Sequence, residues 1–224
     1  PMEVNGVLLT INGEIYNYKH LRQELQTQFN VQFKSESDSE VVLHGYIHWG
    51  IDTVLEKLDG MFAFVIHDTK LKQIYLARDQ VGIKPLYYGW HNEQFTWASE
   101  LKALTKFYGK DTLEIDKTAV YDFLTYQYIP APKTLYQNIF KLEPAHYLTF
   151  NTNTKIHTKT RYWHLKPNRH ITDEEIAQTH IYNALKQSVA EQLVSDVPVG
   201  FFLSGGVDSS AVCVLAREIL PETT

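Results

Sequence analysis

The chain has 224 residues with Lys+Arg 21, Asp+Glu 26 and a formal net charge of −5, a mildly acidic balance that speaks against a protein built mainly to bind nucleic acid. Hydrophobic residues at 44 % and charged residues at 21 % exclude a disordered or collagenous chain. No apolar run approaches the ~20 residues that cross a bilayer, residues 1–6 carry no leader-like segment, and the single Cys213 suits a reducing compartment, so a cytoplasmic protein without membrane association is expected.

The first apolar run, over 7–11, predicts a strand that leads into Asn12-Gly13-Glu14. Tyr18, Leu21 and Leu25 recur at i, i+3 and i+7 and predict an amphipathic helix over 18–28. A polar stretch over 35–40 ends in a helix-start signal; Val42, Leu43, Tyr46 and Ile47 give the next apolar face, closed by Gly50. Strands are expected over 61–66 and 74–77, joined as a hairpin, and over 86–88 and 95–98, joined across His91, Asn92 and Glu93. Short strands with tight turns imply an antiparallel sheet. Asp116 is placed to cap a helix that Pro130 and Pro132 end, and 147–150 reads as the last strand of this part.

Beyond it, 162–170 is irregular and serves as the linker candidate. Thr172 with Glu175 three residues later has the capping-box spacing, ahead of a helix carrying Ile176, Ile181 and Leu185. Residues 197–203 are almost all apolar, as in a strand buried on both faces; Ser204-Gly205-Gly206-Val207-Asp208-Ser209-Ser210 follows, then a helix over 211–220. Strand, glycine loop and helix are the opening of an open α/β domain, and one strand with two helices cannot close one.

Two segments carry chemistry. In the glycine loop, backbone N–H groups at a helix start can converge on an anion, the hydroxyls of Ser204, Ser209 and Ser210 can donate, and Asp208 suits Mg²⁺ bound to a phosphate. The Walker lysine is missing, and a plain Gly-Gly turn with a Ser/Asp cap is the structural alternative. Asn12-Gly13 taken alone is equally an ordinary turn. Glu40, His44 and His48, spaced i, i+4, i+8, are read as a solvated helix face rather than a metal stripe, and Arg78 with Asp79 as a structural or domain-interface ion pair. Cys213 is read as a small buried packing residue.

The loop over 204–209 resembles the pyrophosphate-binding loop of the ATP-pyrophosphatases. Asn12-Gly13-Glu14, Met61-Phe62-Ala63-Phe64, Ala77-Arg78-Asp79 with Gly82-Ile83-Lys84-Pro85-Leu86, and Ala98-Ser99-Glu100-Leu101, in this order, resemble the glutaminase domain of class II glutamine amidotransferases. With the loop that follows, the chain resembles the glutamine-hydrolysing asparagine synthetases. Ala145 stands where that family is expected to carry glycine. The resemblance implies an α+β N-terminal-nucleophile hydrolase sandwich (α/β/β/α, mainly antiparallel) over 1–160, a linker over 161–172, and over 173–224 the opening of an α/β ATP-pyrophosphatase domain.

It implies a ligase in which an N-terminal cysteine hydrolyses glutamine and the ammonia attacks a β-aspartyl-AMP made from aspartate and ATP. By the same resemblance Asn12 and Gly13 form the oxyanion hole, Glu14 and Asp38 hold the α-ammonium group of glutamine, Leu203, Ser204, Gly205, Gly206, Ser209 and Ser210 contact ATP, and Asp208 holds its Mg²⁺. Residue 1 is proline, so the expectation is a fragment cut at both ends that is inactive as a glutaminase. Another acceptor, such as a surface-sugar or antibiotic intermediate, and a non-catalytic glutamine-binding module are the alternatives.

Overall fold

A computed structural model describes residues 1–167, 171–194 and 198–220. The chain forms two compact units, Pro1–His164 and Leu165–Thr224. The first unit opens with a hairpin of β1 (Met2–Val4) and β2 (Val7–Ile15). Its turn is Asn5-Gly6, with φ 54° and 82°, the left-handed pair that matches strand twist. The second Asn-Gly of the sequence does not turn: Asn12, Gly13 and Glu14 extend β2. They pair with Ala63, Phe62 and Met61 of β3 (Gly60–Asp68), and this long cross-strand partnership overrides the local turn preference.

Strands β1, β2, β3, β4 (Gln73–Arg78), β8 (His146–Asn151) and β9 (His157–Arg161) form a six-stranded antiparallel sheet in that spatial order. The strand at 147–150 is therefore not the last. Strand β9 is exposed along its whole length and polar in sequence, so it carries no hydrophobic alternation from which to be read. Strands β5 (Tyr87–His91), β6 (Gln94–Ala98) and β7 (Ile139–Lys141) make a second antiparallel sheet, ordered β6-β5-β7. Its hairpin turns on Asn92 and Glu93, both at positive φ.

Alternation along β3 sorts the layers. Phe62, Phe64 and Ile66 share a buried cluster with Leu21 and Leu25 of α1 (Tyr18–Phe29) and Val42, Leu43, Val54 and Leu55 of α2 (Asp38–Lys57). Ala63 and Val65 share another with Leu86, Tyr88 and Leu148, which joins the two sheets. Outside the smaller sheet, Leu104 and Tyr108 of α3 (Leu101–Tyr108) pack with Ile139 and Tyr87. The order is helix, sheet, sheet, helix. Gly50, at φ 79°, breaks the helical conformation inside α2, and the chain resumes its helix afterwards because Val54 and Leu55 are fully buried. Asp116 caps α4 (Lys117–Tyr126) by accepting from the Thr118 N–H at 2.8 Å.

In the second unit α5 (Glu174–Gln192) is capped by Asp173, whose carboxylate accepts from the Ile176 N–H at 3.0 Å. Asp173 takes the capping place expected of Thr172. Helix α6 (Val207–Ile219) starts four residues before the expected 211. It meets α5 through Glu218, which accepts from Tyr182 Oη at 2.5 Å and from Lys186 Nζ at 2.8 Å. Residues 198–203 are irregular, and Phe202 is fully exposed. This corrects the expected buried strand: a strand exists through its neighbours' hydrogen bonds, and among the described residues none pairs with this run. Val197 lies outside the described residues.

Candidate functional site

The end of β2 gathers Asn12, Gly13, Glu14 and Asp38, the four residues expected at the glutamine site. In an antiparallel pair, facing residues alternate between hydrogen-bonded and non-bonded positions. Phe62 turns both its backbone groups towards Asp79: its carbonyl accepts from the Asp79 N–H at 2.9 Å, and its N–H donates to Asp79 Oδ2 at 3.2 Å. Gly13, facing Phe62, is therefore at a non-bonded position, and its N–H points outward from the free edge of β2. Ile15, two residues on, points its N–H the same way and donates it to Asp38 Oδ2 at 2.9 Å. Asp38, the first residue of α2, thus sits on the edge to which the Gly13 N–H is directed.

Glycine at 13 has a packing reason as well. A Cβ there would lie 2.2 Å from the Met61 carbonyl oxygen, and one at Gly60 would lie 2.2 Å from that of Glu14. No side chain fits between these strands, so the backbones approach closely at this end of the pair. Asn12 and Glu14 lie on the opposite face of β2 from buried Ile15, and both side chains are exposed. Tyr16 adds to the cluster. Burial, then the negative charges of Glu14, Asp59 and Asp79, hold its hydroxyl above the ordinary tyrosine value, so this end of the sheet is acidic. Asn17 ties the exit of β2 down by donating to the Lys57 carbonyl at 2.8 Å and accepting from the Asp59 N–H at 3.1 Å.

Arg78 and Asp79 do not act as the expected ion pair. Arg78 donates to the carbonyls of Lys84, Leu142 and Gly82 at 2.7, 2.6 and 2.6 Å. Asp79 accepts from the N–H groups of Phe62, Val81, Ile83 and Lys84. Each side chain satisfies the backbone of the loop after β4, which would otherwise bury unpaired polar groups. Glu40 and His44 are likewise not a solvated face, at 3 % and 9 % exposure. Val41, Val42 and Leu43 between them are also buried, so α2 is enclosed nearly all round there. His48 is exposed and stacks on Phe29. Among the described residues no group of His, Cys, Asp or Glu is arranged to hold a metal ion. Ala145 is at φ 61°, the left-handed conformation that glycine adopts without cost, which explains why glycine is expected there.

In the second unit Gly205 is at φ 83° and Gly206 caps α6. Ser204 Oγ lies 3.0 Å from Ser209 Oγ, and Ser209 and Ser210 donate to the Gly206 carbonyl at 3.1 and 2.8 Å. Ser204, Gly205, Gly206 and Asp208 are exposed, and nothing lies within 4 Å of a Cβ placed on Gly205. Leu203 is 65 % exposed beside them. An open, left-handed glycine followed by a helix N-terminus is an arrangement that can receive an anion. Cys213 is half-buried on α6 rather than buried.

The family described as "Glutamine amidotransferase domain" matches residues 1–163, and the one described as "Asparagine synthase" matches 180–224. The chain belongs to the glutamine amidotransferase domain family. It is 40 % identical over 214 residues to asparagine synthetase (glutamine-hydrolyzing) 1 of Bacillus subtilis, which covers 95 % of this chain and 33 % of that protein. It is 38 % identical over 213 residues to a putative asparagine synthetase (glutamine-hydrolyzing) 2 of Methanocaldococcus jannaschii, covering 95 % and 40 %. The chain thus spans about a third of the length of the first of these relatives. Among solved structures, glutamine phosphoribosylpyrophosphate amidotransferase from B. subtilis aligns at 21 % identity and a TM-score of 0.49, covering 98 % of this chain and 45 % of that one.

Proposed function

We propose that the first unit is the glutaminase part of a glutamine-hydrolysing asparagine synthetase, with an N-terminal-nucleophile hydrolase fold. The second unit, on this reading, is the opening of its ATP-pyrophosphatase domain. The observation that carries the reading is the outer edge of β2, where the Gly13 N–H and the Asp38 carboxylate lie two residues apart along one strand edge. One end binds a developing oxyanion and the other an ammonium group, as the two ends of glutamine require. Asn12, exposed beside Gly13, donates its side-chain amide as the second oxyanion partner. Asp38 uses three hydrogen bonds, from Ile15 N–H and the Ser37 and Ser39 hydroxyls. A carboxylate accepts about four, so one lone pair is left for the substrate's α-ammonium, with Glu14 as its other acid.

In the second unit Ser204, Gly205, Gly206, Ser209 and Ser210 would hold the ATP phosphates, Leu203 would contact the nucleotide and Asp208 would hold its Mg²⁺. Bound there, ATP would adenylate aspartate with release of pyrophosphate, and ammonia from the first unit would displace AMP. A left-handed Gly205 in open space supports this assignment.

The test is kinetic, in this chain extended at its N-terminus so that a cysteine is the first residue. Asn12→Ala removes an interaction made with the developing oxyanion and lowers kcat for glutamine hydrolysis roughly 10²–10³-fold with little change in KM. Asp38→Asn removes a contact made in ground and transition states alike and raises KM roughly tenfold or more with kcat nearly unchanged. Asp208→Asn changes neither. An exchange of the first two patterns overturns the assignment.

A further inference from the structure

The segment that delivers Asp38 is held from beneath by a buried carboxylate. Residues 30–37 connect α1 to α2, and their last part, 33–37, ends at Ser37, whose hydroxyl caps α2 by accepting from the Ser39 N–H at 3.2 Å. Glu40, 3 % exposed, turns back onto this segment. Its Oε1 accepts from the Lys34 N–H at 2.8 Å, and its Oε2 accepts from the Ser35 N–H at 2.8 Å and the Ser35 hydroxyl at 2.7 Å. From the other side Arg22 donates to the Ser35 carbonyl at 2.5 Å, with its guanidinium 4.2 Å from the centre of the Phe33 ring. Phe33 in turn meets His44 edge to face at 5.1 Å. A surface loop of this length would otherwise be free to move. Here the Lys34 and Ser35 N–H groups and the Ser35 carbonyl are fixed by charged side chains on two helices.

Resting on the proposed function, we infer that Glu40 is a positioning residue for glutamine recognition: by clasping Lys34 and Ser35 it fixes the start of α2, and so the place of the Asp38 carboxylate beside β2. A carboxylate can do this because both its oxygens accept. Glutamine at position 40 accepts on one side only and sets an N–H against an N–H on the other.

The inference is tested on the 224-residue chain by NMR titration with L-glutamine and with glutaramate, the same amide without the α-ammonium group. The hydrogen exchange of the Ile15 amide, which donates to Asp38, is measured alongside. In Glu40→Gln, Ile15 exchange quickens and the preference for glutamine over glutaramate falls about tenfold, the weight of one charge-assisted hydrogen bond, while glutaramate affinity holds. Ser35→Ala, which leaves two of the three bonds to Glu40, moves both readouts the same way by less, and guards against a Glu40→Gln chain that does not fold. Equal weakening of both ligands means a merely structural role and overturns the inference, as does an unchanged preference with unchanged Ile15 exchange. A wild-type chain with no preference for glutamine overturns the reading of Asp38 itself, a result separate from the response of Ile15.

Discussion

His44 shows how a single buried side chain ties stability to pH. Burial, above all, holds its imidazole below the ordinary value of 6.5; Glu40 opposes this, and His48 and Lys34 reinforce it. Between the folded and unfolded values the unfolded chain binds more protons, so stability rises with pH across that window. The contribution is complete above pH 6.5 and is lost as pH falls through the folded value. Glu40, held below 4.5 because its bonds to Lys34 and Ser35 together outweigh burial, adds a second loss at lower pH with the same sign. Chemical denaturation at a series of pH values checks this: His44→Gln flattens the slope just below pH 6.5 and leaves the lower-pH slope in place. An unchanged slope below 6.5 rules His44 out as its source.

At the scale of elements, capping decides where helices stop. Helix α4 ends on Gln127 at φ 62°, whose N–H donates to the Phe123 carbonyl at 2.8 Å. The geometry is that of a left-handed cap, which a side chain occupies at a cost of roughly 1–2 kcal/mol and glycine does not. Gln127 is exposed, so no packing is lost on replacement. Gln127→Gly therefore stabilises the first unit by about 0.5–1 kcal/mol after the added backbone entropy of glycine in the unfolded chain is subtracted. Thermal melts read it directly, and a lower melting temperature contradicts the account. Ala145 is also left-handed but is buried, so there the strain relieved by glycine competes with loss of a buried methyl group.

For the whole molecule, the two units differ in how much they bury. The first holds three apolar clusters that run through its helix, sheet, sheet, helix order. In the second, α5 has no buried residue and α6 buries only Leu215 and Ala216. Local stability follows buried apolar contact, so amide exchange separates the units in the 224-residue chain. Core strands β2, β3 and β4 exchange only on global opening of the first unit. Amides of α5 and α6 exchange on the order of 10³-fold faster or more. Comparable protection in both units contradicts the assignment of stability to the first unit's core.

The sequence by itself determined the elements whose period or turn chemistry is local: α1, the β3–β4 and β5–β6 hairpins, and the Asp116 cap. The order of the Asn12-Gly13-Glu14, Arg78-Asp79 and Ser204–Ser210 segments was also legible, and with it the family. Tertiary structure decided what long-range partners control. One Asn-Gly turns at 5–6, while the other is drawn straight at 12–13 by β3. Polar β9 became a strand only because β8 offered it an edge. Glu40 and His44, polar residues at a helical spacing, are buried because the segment over 33–37 closes over them, a contact between parts of the chain that no local period encodes. The candidate site followed the same division. Its residue types were written in the sequence. The direction of the Gly13 N–H and the place of Asp38 beside it came from strand register and helix capping, because a hydrogen bond's direction is fixed by the neighbour that the fold supplies.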